Sequence, residues 1–231
     1  MRQFHAQYIW TAFIDLVPYL WVTLAMMAGT VFFGGLLGLL LARAKIRRGK
    51  LSRALAEVYI YLTRCIPSIV MLFVVYYGLP EFLLTFGIDM NHVGKGVFVI
   101  ITFSVLFSSA MCEVFRSAYL SVDPGQTEAA LSIGMSRKQA YIRIILPQAM
   151  VAALPNICNT TISLLKSTSL AFMMSVKDIT AIAKMKAAYG YNYIEAYLVI
   201  AFIYIIVCTI VQILFQLIER RISGYKKLVL S

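Results

Sequence analysis

Charged residues are scarce in this chain of 231 residues, since Asp, Glu, Lys and Arg make up 13% of it. An ordinary soluble domain contains about 25% of these residues. Apolar residues make up 61% of the chain. A soluble domain of this size needs more polar side chains to cover its surface, whereas a chain solvated by lipid does not. The composition therefore predicts an integral membrane protein.

Motifs of catalytic and metal-binding chemistry are also missing. The chain has no H-E-x-x-H or G-x-S-x-G motif and no G-x-x-x-x-G-K-[ST] phosphate loop. Its four cysteines have no C-x-x-C spacing, and His5 and His92 have no partners at ligand spacing. We therefore predict neither an enzyme nor a metal site, and no cofactor bound by this chain itself.

Five long apolar runs predict an all-α membrane protein with about five spans, because roughly 20 apolar residues in a helix cross a ~30 Å hydrocarbon core. No repeat or flexible linker divides them, so we predict one membrane domain over residues 16–220, an external segment 1–15 and a cytoplasmic tail 221–231. The second run extends backward if 55–62 belongs to it. The runs are 16–42, 65–80, 96–112, 144–165 and 196–218.

Small residues recur every four positions in the first run. Thr30, Gly34, Gly38 and Ala42 share one helical face, where another backbone can approach closely. This face is predicted to be a helix-packing seam.

Basic residues lie in blocks between the apolar runs, a pattern typical of cytoplasmic flanks and not of a nucleic-acid partner. If all five runs span, one side carries 15 Lys and Arg residues and the other carries 6. The asymmetry places the N-terminus outside and the C-terminus in the cytoplasm. The four lysines between 166 and 195 are numerous for an outer segment.

The segment 121–147 carries unusually clear helix signals. Asp123 suits an N-cap, Pro124 the first helical position and Gln126 the capping-box position. Gly134 is predicted to end this helix with a positive φ. A second helix starts at the Ser136 and Gln139 box, and Pro147 is expected to interrupt it.

The first short helix offers a small-residue surface at Ala129 and Ala130, next to Ile133, on which another protein can dock closely. An interfacial helix on the membrane remains the alternative, since Tyr141, Ile144 and Ile145 also suit lipid.

The same segment resembles the EAA loop of ATP-binding-cassette importer permeases. Other segments, over roughly 16–220, are similar to the polar amino-acid permeases of the histidine, glutamine, arginine and cystine type. This chain has Cys65-Ile66 where that family usually has Gly-Thr, and Ser167 where it usually has Asp. The matching loop residues are Glu128, Ala129, Ala130, Gly134, Ile144, Leu146 and Pro147; the other segments are 64–67, 76–80, 113–116 and 162–170.

The resemblance implies a type I importer permease in the bacterial plasma membrane, with a coupling helix between spans 3 and 4. It further implies a second permease subunit, the same chain or a homologue, a cytoplasmic ATPase dimer that holds ATP and Mg, and an external amino-acid-binding protein. The seven loop residues would transmit movement from the ATPase, and the passage would carry a polar amino acid, with cystine as one candidate.

Polar residues inside the fourth run share one helical face, which is costly unless it meets protein or water. Interhelical hydrogen bonding and a pathway lining both explain such a stripe. Glu113 and Arg116 can form an i,i+3 ion pair at a span end. The candidate pathway residues are Arg64, Glu113, Arg116, Asn156, Asn159, Ser163, Lys166 and Ser167.

Two other functions are weighed against the importer. A secondary transporter driven by an ion gradient often has mid-membrane acids and inverted repeats, and neither is visible here. A membrane-embedded enzyme lacks its motifs.

Overall fold

The computed structural model describes residues 6–47 and 49–229, and all regular structure in them is helical. Short 3-10 helices (Val17–Tyr19 and Thr168–Met174) and wide π turns (Val74–Gly78 and Tyr141–Ile145) join several of the α-helices. The α-helices are α1 (Ala6–Leu16), α2 (Leu20–Ile46), α3 (Lys50–Cys65), α4 (Ser68–Phe73), α5 (Leu79–Leu84), α6 (Lys95–Leu120), α7 (Pro124–Ser132), α8 (Arg137–Ala140), α9 (Leu146–Ser167), α10 (Ile179–Gly190) and α11 (Tyr193–Val229).

Four helical stretches of the described chain are long and apolar enough to cross a membrane, and a bent helix pair brings the number to five if it counts as one span. The predicted all-α membrane fold with about five spans is therefore confirmed. The stretches are Tyr8–Ile46, Lys95–Leu120, Arg137–Met174 and Tyr193–Ile222, and the bent pair is Lys50–Cys65 with Ser68–Leu84.

Helix α6 lies at the centre, with α2, α3, α4 and α9 packed around it. The predicted seam of α2 is confirmed, since its four residues are buried against α6. A Cβ atom on Gly34 would lie 2.9 Å from the Ser104 carbonyl oxygen, and one on Gly38 would lie 2.7 Å from Met111 Cβ. The two backbones are thus in contact where only glycine fits.

Prolines explain where the helices depart from the predicted runs. Pro67 disfavours a helical conformation at Ile66, which is extended, and the chain turns by 107° between α3 and the stretch 68–84. The second run therefore does not extend backward as a straight span. The predicted interruption of the second loop helix at Pro147 does not occur. The wide turn 141–145 lies just before it and accommodates a residue without an N–H, so the chain continues as α9.

Both predicted boundaries of the membrane domain fall inside helices. The described part of the N-terminal segment forms α1, whose Ala12 and Leu16 belong to one core with α11. Asp15 made the apolar run look shorter, but its carboxylate is paired with Lys186 of α10. At the other end α11 continues through the boundary at 220 as far as Val229.

The seam predicts opposite effects for two neighbouring glycines. Gly38→Ala should lower the stability of the purified protein by about 1–3 kcal/mol, because the new methyl group overlaps α6. Gly35→Ala is the matched control, since no atom lies within 4 Å of a Cβ built there, and alanine is the better helix former. Thermal unfolding in detergent measures both variants, and equal midpoints would contradict the seam.

Candidate coupling loop and membrane groove

The first helix of the 121–147 loop is capped at its start largely as predicted. The Asp123 carboxylate accepts a hydrogen bond from the Gly125 N–H at 2.8 Å, and Pro124 occupies the first helical position. The predicted role of Gln126 in a capping box is wrong. Its side-chain oxygen instead accepts a hydrogen bond of 3.4 Å from the Gln148 amide of α9.

The turn between α7 and α8 is tightly specified. Gly134 has a φ of +85°, as predicted. The Gly134 N–H donates to the Leu131 carbonyl at 3.0 Å and the Met135 N–H donates to the Ala130 carbonyl at 3.1 Å, the two bonds of a Schellman motif. The Ser136 and Gln139 capping box is also confirmed, with bonds of 2.8 and 3.2 Å. The relative direction of α7 and α8 is therefore set by backbone geometry.

The loop presents one side of α7 to the exterior and packs the other against the chain. Glu128 and Ala129 are exposed, and Ile133 is 77% exposed. Ala130 is only 2% exposed, because α7 packs against α8 and the wide turn that follows. Its predicted place on a docking surface is therefore wrong, and the contact with another protein is better tested at Ala129.

Two contacts connect the loop to the spans. Gln126 reaches Gln148 of α9, and the Tyr119 ring of α6 lies 6.3 Å from the Tyr141 ring between centroids. Of the predicted coupling residues, Ile144 lies in the wide turn, and Leu146 and Pro147 open α9. They belong to the helical connection into the membrane and not to the exposed side of α7. A displacement of α7 would thus act on α9 through Gln126 and on α6 through the Tyr141 contact.

Glu113 is the centre of an ion-pair group near the loop end of α6. It accepts a hydrogen bond from Arg116 Nε at 2.9 Å, as the spacing predicted, and one from Lys45 Nζ at 2.6 Å. Lys45 was missed, because it lies 68 residues away and looked like ordinary loop charge. The group ties α2 to α6. Arg64 is exposed at the end of α3 and joins neither this group nor the α9 stripe.

The predicted polar stripe of α9 lies on the surface of the chain. Asn156, Asn159, Ser163 and Lys166 are exposed, and Ser167 is half-buried. The Ser167 hydroxyl donates to the Ser163 carbonyl of its own helix at 3.0 Å. Interhelical hydrogen bonding within this chain therefore does not account for Ser167.

A groove of about 140 Å³ runs along part of the stripe, between α9, α6 and α4. Ser163 and Ser167 line it, whereas the other candidate pathway residues do not. Sequence reasoning missed the contributions of α4 and α6, since nothing local relates those residues to α9. The groove combines hydroxyl groups with an aromatic wall and is lined by Ser68, Phe103, Leu106, Phe107, Ala110, Thr160, Ser163, Leu164 and Ser167.

The opposite end of the bundle holds a buried acid that sequence reasoning also missed. Asp178 is fully buried and caps α10, accepting a hydrogen bond from the Ala181 N–H at 2.8 Å. Burial raises the pKa of Asp178 to about 6. Nothing resembling a metal site accompanies it, since the described residues contain no group of three or more His, Cys, Asp or Glu side chains that could hold an ion.

Comparison with known proteins places the chain in a family. The profile of the family described as "Binding-protein-dependent transport system inner membrane component" matches residues 34–224. The L-cystine transport system permease protein TcyL of Bacillus subtilis is 39% identical over 213 residues, covering 90% of this chain and 89% of that protein. The probable amino-acid permease protein YxeN of the same organism is 39% identical over 217 residues, covering 94% and 95%.

A solved structure agrees with these relatives. The crystal structure of an amino acid ABC transporter with histidines superposes with a TM-score of 0.79 and 31% sequence identity, over 96% of this chain and 99% of that one. The predicted type I importer permease fold is thereby confirmed. The chain belongs to the family of inner membrane components of binding-protein-dependent transport systems.

Proposed function

We propose that this chain is the permease subunit of an ATP-driven importer and forms, with a second permease, the membrane passage for a polar amino acid. The observation that carries the proposal is the exposed polar stripe of α9 beside the groove. Polar side chains at membrane depth are costly against lipid, so protein or water must cover them. A second permease facing this surface would cover part of the stripe with protein. The groove would then form part of a water-filled path between the two subunits.

The α7 helix supports the coupling role. It presents Glu128, Ala129 and Ile133 just before a turn whose geometry is set by Gly134. We propose that this surface docks on a cytoplasmic ATPase, which holds ATP and Mg, since this chain has no phosphate loop. An external amino-acid-binding protein would deliver the substrate to the other side.

The proposed substrate class rests on relatives and on the groove. TcyL is an L-cystine transport permease and YxeN a probable amino-acid permease, so cystine is one candidate. The described groove residues include hydroxyl and aromatic side chains and no acid, which suits a polar solute without net positive charge. Copurification of partners in mild detergent, with uptake of labelled amino acids in a deletion strain, tests the whole proposal. Uptake driven by an ion gradient without a partner ATPase would overturn it.

Two of the four lysines between 166 and 195, on the proposed outer side, have local partners. Lys186 pairs with Asp15, and Lys184 lies 4.5 Å from the centre of the Phe172 ring.

The orientation predicts which loops are accessible from outside. In a variant without the four native cysteines, an impermeant thiol reagent should label a cysteine at Asn91 in intact cells. A cysteine at Lys138 should react only after the membrane is opened. The reverse pattern would contradict the orientation and the cytoplasmic coupling loop.

Gly134→Val should uncouple the transporter without preventing insertion. No atom lies within 4 Å of a Cβ built on Gly134, so the effect arises from its positive φ alone. Strain of ~1–3 kcal/mol would lower the population of the native turn roughly 5- to 150-fold. Copurification of the ATPase and substrate-stimulated hydrolysis in vesicles measure the loss.

Ser132→Val is the matched control, because it adds the same side chain at an exposed helical position of α7. It should retain coupling. Normal coupling in Gly134→Val would refute the transmission role of the loop.

Ser163→Leu should reduce uptake at least tenfold while the complex still assembles and hydrolyses ATP, because the larger side chain fills much of the groove. Ser169→Leu provides the control, since Ser169 follows α9 but does not line the groove. Initial rates of labelled amino-acid uptake in vesicles, normalised to assembled complex, separate the two. Equal rates in both variants would mean that the groove is packing and not a passage.

A further inference from the structure

Helix α3 lies across the end of the bundle and not along it. The stretch 68–84 runs beside α6, since Ser68 shares the groove with Phe107 and the Tyr76 ring lies 5.5 Å from the Phe98 ring. Because α3 is bent by 107° from that stretch, its axis is nearly perpendicular to the bundle. Stretch 68–84, at about 1.5 Å per residue, is about 25 Å long and covers most of a ~30 Å hydrocarbon core without α3.

One face of α3 holds it at the loop end of α6. Ala56, Ile60 and Thr63 are buried, and Ile60 packs with Ala42 and Cys112. The half-buried Tyr59 hydroxyl lies 2.8 Å from the Ser108 hydroxyl of α6. The depth of α3 in the membrane is therefore fixed by the part of α6 between its midpoint and its loop end.

The rest of the α3 surface is divided into an apolar face and a charged face. Leu51, Leu55, Val58 and Leu62 form the apolar face, and they are between 53% and 74% exposed. At 100° per residue this face is turned well away from the charged one, which holds Lys50, Arg53, Glu57 and Arg64. A helix that lies perpendicular to the bundle and has an apolar face and a charged face is typical of the membrane interface.

The cations at this end exceed the acids that could neutralise them. Lys45 is paired with Glu113, and Arg53 with Glu57 at 2.9 Å. On α3 and at the end of α2, the exposed basic residues that form no ion pair with any described residue are Arg43, Arg47, Lys50 and Arg64. The last turn of α2 and the helix α3 thus form one surface with unneutralised positive charge.

We propose that α3 is an interfacial anchor whose apolar face enters the cytoplasmic leaflet while Arg43, Arg47 and Lys50 bind the phosphate groups of anionic phospholipids. The side of the membrane rests on the proposed orientation. A lipid surface matches both features of α3, since acyl chains cover the leucines and headgroups meet the cations. A second copy of the chain, seated on this face by a two-fold axis, would bring the same cations together.

Depth measurements test the position of α3 directly. Leu51 and Leu62 are 11 residues apart, so they lie roughly 16 Å apart along the helix and almost on one line of its surface. Spin labels at these positions, in full-length protein without native cysteines, should show equal depth just below the headgroups. A label at Lys50 should be accessible to water. A depth difference approaching ~16 Å between 51 and 62 would mean that α3 crosses the membrane, and would overturn the proposal.

Lipid binding tests the cations. The full chain is placed in nanodiscs of phosphatidylglycerol and phosphatidylcholine and then extracted with detergent. More phosphatidylglycerol than phosphatidylcholine should remain bound to the protein. Arg43→Gln/Arg47→Gln/Lys50→Gln should weaken this retention by up to about 100-fold, at about fivefold per cation near an anionic surface. Inorganic phosphate at equal concentration should not displace the lipid.

The matched control removes three exposed cations at the other end of the bundle, with Lys95→Gln/Lys177→Gln/Lys184→Gln. It should keep the preference for phosphatidylglycerol. Equal loss in the two triple variants, no lipid preference in the parent protein, or displacement by inorganic phosphate would each overturn the proposal. These outcomes are independent of amino-acid uptake, so they separate this inference from the proposed transport function.

Discussion

The backbone contact between α2 and α6 is the constraint on which the remaining structure depends. Lipid solvates apolar side chains as well as a protein core does, so spans associate through close packing. Gly34 and Gly38 allow this approach, since a side chain there would overlap the Ser104 carbonyl or Met111. With α2 held in place, α6 offers its other faces to α3, α4 and α9, and these build the groove and support the loop.

Proline and glycine set the points at which the chain bends between the packed spans and the loop. Pro67 turns α3 away from the span direction, and Pro147 sits behind a wide turn that keeps the chain helical from the loop into α9. Gly134 alone bends the loop sharply. The short α7 is therefore held by a geometrically defined turn. Gln126 connects it to α9, and Tyr119 of α6 contacts Tyr141 in the wide turn that follows α8.

Charge is used sparingly, and two ion pairs connect segments that are distant in sequence. Lys45 with Glu113 ties α2 to α6, and Lys186 with Asp15 ties α10 to α1. Each pair satisfies an ion that would otherwise be costly at the membrane edge. Most of the exposed cations without an ion pair among the described residues lie at the end of the bundle that carries the 121–147 loop, where an anionic leaflet would stabilise them.

The sequence by itself determined the features that depend on local spacing and on the solvent. These are the membrane class, the number of spans, the small-residue seam of α2, the caps at Asp123 and Ser136, and the positive φ of Gly134. Composition reports what surrounds a chain, and capping geometry involves residues only a few positions apart. Both can be read without knowing the fold.

Tertiary structure alone decided which surfaces meet. Lys45 finds Glu113 across 68 residues, and Ser68 joins Ser163 in one groove, although nothing in their neighbourhoods relates them. Ala130 looked like part of a docking surface, yet packing against α8 buries it. A helical pattern specifies which residues share a face, but the element that covers the face depends on how all the helices pack together.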